Sequence, residues 1–97
     1  MIIRIVKLII DREKVEDFQV FFKKNKPNIN NFIGCNHVEL LKETKNGNVF
    51  FTYSIWENEE MLENYRNSMF FKDVWNKTKS YFSGKPEAWS LKSKNNE

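Results

Sequence analysis

Hydrophobic residues recur along the chain with two periods, and each switch between them predicts an element. Residues 2–10, IIRIVKLII, alternate as a strand does, with Ile3, Ile5 and Ile9 on one face and Ile2, Val6, Leu8 and Ile10 on the other. From Arg12 the spacing turns helical through Val15, Phe18, Phe22, Ile29 and Phe32, with Asp11 placed as N-cap. Pro27 lies inside this run. Its ring removes a helical hydrogen bond and clashes with the carbonyl of Lys23, so a kink or a restart is expected there. Gly34 ends the segment. Residues 35–43, CNHVELLKE, read as a second strand, and Asn46-Gly47 predicts a type I′ hairpin turn into an aromatic strand over 49–56, paired antiparallel with it.

Asn58 then caps a short helix whose first turn carries Glu59 and Glu60, where the helix dipole favours negative charge, with Met61, Leu62 and Tyr65 as its apolar edge. Ser68 opens a further helix with Phe70, Phe71, Val74, Trp75, Thr78, Tyr81 and Phe82 on a broad apolar face. Gly84 and Pro86 stop it. EAWSL, 87–91, forms a last strand, which gives one domain over 1–92 and a polar tail over 93–97.

The order β-α-β-β-α-β is the α+β, ferredoxin-like arrangement, a four-stranded antiparallel sheet with helices on one face. It leaves a face to account for. The strand over 49–56 points Phe50 and Trp56 one way and Phe51 and Tyr53 the other, and the first strand is also apolar on both sides. Helices cover only one face. The other is therefore expected to meet a second copy of the chain, in a homodimer whose interface buries upwards of about 2,000 Å² in total.

Charge and composition narrow the function. Sixteen Lys and Arg against 13 Asp and Glu give +3, with the signs interspersed and no basic block longer than Lys23-Lys24, so no nucleic-acid partner is expected. The same topology serves RNA-recognition modules, but NGNVFFTYS lacks their basic start and second small residue, and the first strand offers no aromatic partner. A single cysteine, Cys35, and a single histidine, His37, leave no intrachain disulfide and no Cys/His zinc site, and suit a reducing cytoplasm. Arg4 and Lys7 interrupt the apolar N-terminus, which reads as a strand and not a signal peptide, and nothing is long enough to span a membrane. Three glycines scattered singly, Gly34, Gly47 and Gly84, form no dinucleotide loop, and no cofactor or metal is expected.

GCNHVEL (34–40), TYSIWENEEML (52–62), YRNSMFFKDVW (65–75) and KPEAWS (85–90) resemble the antibiotic biosynthesis monooxygenase family, in the order and spacing of its small stand-alone members. The resemblance implies dimerisation into an α/β barrel, a pocket between each sheet and its helices, and, in several members, oxygenation without a cofactor, in which a deprotonated phenol or hydroquinone reduces O₂ directly. The expected function is oxidation of a small aromatic, phenolic or quinol-type compound by O₂. The alternative is a non-catalytic small-molecule-binding or stress-associated dimer. In the haem-degrading branch, the positions of Tyr65 and Trp75 would hold a tryptophan and the iron-ligating histidine. Tryptophan cannot ligate iron, so haem degradation is disfavoured.

Candidate groups follow. His37 is the only side chain whose unperturbed pKa suits proton transfer near neutrality, and alternation places it on one strand face with Cys35, Glu39 and Leu41. Tyr65 is the second catalytic candidate, as hydrogen-bond donor to a phenolate or quinone oxygen. Trp56, Trp75, Phe71 and Tyr53 are candidate walls for an aromatic ligand, and Arg66, with Arg4, is a candidate partner for an anionic one.

Overall fold

The computed structural model describes residues 1–94. Its elements run β1 (Ile2–Ile9), α1 (Val15–Asn30), β2 (Cys35–Lys42), β3 (Val49–Trp56), α2 (Glu59–Arg66), α3 (Met69–Lys79) and β4 (Glu87–Leu91). The strands form one antiparallel sheet in the order β2-β3-β1-β4, the ferredoxin-like α+β fold. The C-terminal tail lies in part, at 95–97, outside the described residues. Among the described residues no helix is long and apolar enough to cross a membrane.

The caps act where the sequence placed them. Asp11 accepts from the Glu13 amide and starts a 3₁₀ turn, Arg12–Lys14, that leads into α1. Asn58 accepts from Met61 N at 2.9 Å and Ser68 from Phe71 N at 3.0 Å, so each short helix has one of its free amides satisfied. Gly34 has a φ of 90°, and a Cβ there would collide with the Met61 side chain, so glycine serves both the turn and the close approach of α2.

Three expectations need correction. Helix α1 does not restart at Pro27 but runs on to Asn30. Only three residues follow the proline, Asn31 N still bonds Pro27 O at 3.0 Å, and the burial of Ile29 in the core anchors the last turn. The β2–β3 connection is not a type I′ turn, since among the described residues only Gly34 has a positive φ. Its register, with Glu43 N bonded to Val49 O at 2.9 Å, leaves a longer loop, and the Glu43 carboxylate satisfies it by accepting from the amides of Lys45 and Asn46. Finally, a bulge between Cys35 and His37 shifts the register so that Cys35 pairs with Trp56 and His37 with Ile55. The two therefore lie on opposite faces of the sheet, not the same one.

The pairing sorts the sheet into two surfaces. Toward the helices face Ile2, Arg4, Val6 and Leu8 of β1, opposite Trp56, Ser54, Thr52 and Phe50 of β3. Away from them face Ile3, Ile5, Lys7 and Ile9, opposite Ile55, Tyr53, Phe51 and Val49. The core beneath the helices divides into two clusters. Ile2, Ile29, Val38, Trp56, Leu62 and Tyr65 form one, and Leu8, Ile10, Phe18, Phe50 and Tyr81 the other.

Candidate functional site

Between the two clusters the covered face of the sheet changes character. The rungs Arg4–Ser54 and Val6–Thr52, extended by Ser90 and Ala88 on β4, are polar or small, whereas the flanking rungs Ile2–Trp56 and Leu8–Phe50 are large and apolar. Large side chains fill the space at each end and the short ones leave it open in the middle. The result is a cavity of about 340 Å³ between sheet and helices, at the small end of the range for ligand pockets. Helix α1 contributes Phe22 and Ile29, α2 contributes Leu62 and Tyr65, and α3 contributes Phe71, Val74 and Trp75.

The aromatic walls hold one another in place. Trp56 is fully buried and donates its indole N–H to Ser54 Oγ at 3.0 Å, so its polar atom is satisfied and its ring is fixed. Tyr65 stacks on it at 4.7 Å between centroids and meets Phe71 and Phe32 edge-on at 5.0 and 5.1 Å. Phe71 in turn stacks on Trp75 at 5.9 Å, nearly parallel. The Tyr65 side chain lines the cavity, and its hydroxyl makes no hydrogen bond among the described residues. Burial first, and the neighbouring Cys35 second, push this hydroxyl well above the ordinary tyrosine range. It is a proton-bearing donor at neutral pH, not a base.

Two guanidinium groups line the same space. Arg4 projects from the covered face of a central strand and donates to Ser90 Oγ at 3.0 Å. Arg66, at the end of α2, pairs with Glu63 at 3.3 Å. Burial, then repulsion from Arg66, pulls Arg4 below the usual guanidinium range, and Glu63 partly opposes this. Arg4 nonetheless remains charged at neutral pH.

Of the candidates read from the sequence, Tyr65, Trp56, Trp75, Phe71 and Arg66 come together around the cavity. His37 and Tyr53 do not. They lie on the open face, ring to ring at 6.1 Å, with His37 Nε2 3.3 Å from the Glu39 carboxylate. Ser54, Thr52 and Asn25 are cavity residues that sequence reasoning passed over. The signal for the first two was present, as small polar residues interrupting the inward series Phe50, Thr52, Ser54, Trp56. Among the described residues no three His, Cys, Asp or Glu side chains gather as a metal site.

A family model described as antibiotic biosynthesis monooxygenase matches residues 1–77. The chain is similar in structure to a conserved protein from Methanosarcina mazei Go1, with a TM-score of 0.89 and 22% identity over 97% of this chain and 94% of that one. It also resembles a protein named as an antibiotic biosynthesis monooxygenase, with a TM-score of 0.88 and 12% identity over 96% and 98% of the two chains. A candidate antibiotic biosynthesis monooxygenase from Nitrosomonas europaea gives 0.85 and 14% over 97% and 99%. Identities this low speak for the fold alone. No curated protein sequence matches the chain significantly.

Proposed function

The chain belongs to the antibiotic biosynthesis monooxygenase family, and from that premise we propose that it is a cofactor-independent monooxygenase that oxidises a small phenolic or quinol-type aromatic with O₂ inside the sheet–helix cavity. The observation that carries this reading is the cavity itself. Its walls include aromatic rings, and among its polar groups are the Tyr65 hydroxyl and a strand-borne guanidinium.

In this scheme the positive field of Arg4 favours the phenolate form of the substrate, and the phenolic proton passes to solvent. Tyr65 donates a hydrogen bond to the phenolate oxygen. The electron-rich ring then transfers one electron to O₂, and the radical pair combines at a ring carbon that carries hydrogen, the terminal oxygen taking a proton back from solvent to give a C–OOH group. Loss of water breaks the O–O bond and leaves a quinone carbonyl. One oxygen atom stays in the product, the other leaves as water, and the ring supplies all four electrons. Trp56, Phe71 and Trp75 exclude water from the radical pair. His37 and Tyr53 play no part in it, being on the opposite side of the sheet.

Oxygen uptake by the purified protein with hydroquinones and phenols tests the reading. Tyr65→Phe should reduce uptake about 10- to 100-fold, the worth of one hydrogen bond to a charged oxygen, with the circular dichroism spectrum unchanged. Uptake no faster than the autoxidation blank would overturn the oxygenase. A ligand-binding domain would then stand in its place, a reading favoured by one observation: no imidazole lines the cavity, and Glu63 there is already paired with Arg66.

The proposal extends to assembly. The open face presents Ile3, Ile5, Ile9, Phe51, Tyr53 and Ile55 in register, bordered by Leu41, Trp89 and Leu91 at 42%, 42% and 45% exposure. A continuous apolar surface of this kind supports a homodimer in which two such faces meet. Cys35, a free and partly buried thiol, suits a reducing compartment such as the cytoplasm.

A further inference from the structure

Arg4 is the one charged residue on the covered face of the two central strands, β1 and β3. A guanidinium on the inward side of a central strand loses part of its hydration, and here it makes only one hydrogen bond, donated to the neutral Ser90 hydroxyl. No carboxylate among the described residues lies within ion-pair distance of it. Glu63, the acid nearest in effect, is engaged by Arg66. Glu87 contributes to the rim, but it pairs with Lys7 across the ladder, and alternation turns its side chain to the open face. The cavity therefore holds two cations against one carboxylate. Four of Arg4's five N–H donors are left without a protein partner among the described residues, in a fork geometry that matches a planar oxyanion.

We propose that the cavity selects an aromatic acid, a phenolic ring bearing a carboxylate, with the carboxylate held by Arg4 and the ring lying against Trp56, Tyr65 and Phe71. This rests on the reading of the cavity as the substrate site and narrows its substrate class. A carboxylate is ionised throughout the neutral range, so it supplies the missing counter-charge before any chemistry begins. Its capture orients the ring, leaving the phenolic oxygen for the Tyr65 hydroxyl. Arg66, already paired, adds long-range attraction and no direct grip. The volume of about 340 Å³ accommodates one or two fused rings with such a substituent.

The test compares two ligands that differ only in this group, 2,5-dihydroxybenzoate and methylhydroquinone, whose binding is followed by titration calorimetry and tryptophan fluorescence. The acid should bind at least tenfold tighter to the unaltered protein, and the margin should shrink as salt is raised. Arg4→Gln should abolish that margin. Arg66→Gln should reduce it only severalfold. Equal affinity of the two ligands for the unaltered protein, a margin that survives Arg4→Gln, or no binding of either at millimolar concentration would each overturn the proposal. The first and third of these need no variant, so a folding defect in Arg4→Gln cannot hide the answer. Oxygen uptake on the same samples separates the two ideas. Tight binding of the acid without turnover sinks the oxygenase reading alone, and turnover of methylhydroquinone with no preference for the acid sinks this one alone.

Discussion

The two faces of the sheet are built from alternate residues of the same strands, yet they solve opposite problems. On the covered face, large apolar rungs at both ends enclose small and polar rungs in the middle, Arg4–Ser54 and Val6–Thr52. On the open face the sequence Ile3–Ile55, Ile5–Tyr53, Lys7–Phe51, Ile9–Val49 keeps large side chains along its whole length. Interruption creates a cavity; continuity creates a surface able to pair. A hydrophobic face thus becomes a site or an interface according to where its small residues fall, and total hydrophobicity does not distinguish the two.

The largest effect should come from breaking the covered face. Phe50 is fully buried and packs edge-on against Phe18 at 5.2 Å, so Phe50→Ala should lower unfolding stability by about 3–5 kcal/mol in urea titrations. Phe51→Ala, one residue along but on the other face, should change it by no more than about 1 kcal/mol and act mainly on dimer dissociation. Equal losses from the two would remove the distinction between the faces.

Next in size is an attack on the open face. Ile5 sits at its centre between Tyr53 and Trp89, and Ile5→Asp would place an unpaired charge in the proposed interface. Dimer affinity should fall about a hundredfold or more, on the order of 3 kcal/mol, as read by light scattering across a dilution series. A wild-type protein that is monomeric at low micromolar concentration would refute the dimer outright.

The smallest effect concerns pH. Burial raises the Tyr65 pKa in the folded protein above the value near 10 that it has in the unfolded chain. The folded state therefore keeps a proton that the unfolded state releases. Stability from this source is complete below about pH 10 and is lost as pH climbs towards the folded value, with a slope of at most about 1.4 kcal/mol per pH unit. Thermal melts from pH 9 upward should show the wild type falling faster than Tyr65→Phe. Parallel curves would mean that Tyr65 is better hydrated than its packing against Trp56 and Phe71 implies.

Much of the fold was legible because its signals are local. Asp11, Asn58 and Ser68 mark helix starts through their own side chains, and the strand over 49–56 announced itself by composition. The errors arose where a distant contact outweighed a local rule. Pro27 is tolerated because Ile29 is buried beyond it, and Asn46-Gly47 does not form its favoured turn because Glu43 ties the loop and Asn48 bonds the Ile10 carbonyl at 3.0 Å. His37 attracted attention as the lone imidazole, but chemistry read from residue type carries no information about which side of a sheet faces a cavity.

Taken alone, the sequence determined the elements, their order and the apolar character of both sheet faces, because strand alternation and helical period depend only on neighbours along the chain. Tertiary structure decided the rest. A cavity is the space left between side chains brought together by folding, and its charge depends on contacts such as Arg4 with Ser90, 86 positions apart. Which aromatics became walls, that the lone histidine was excluded, and that Arg4 was left without a counter-charge followed from register and packing, and neither is written in any short stretch of residues.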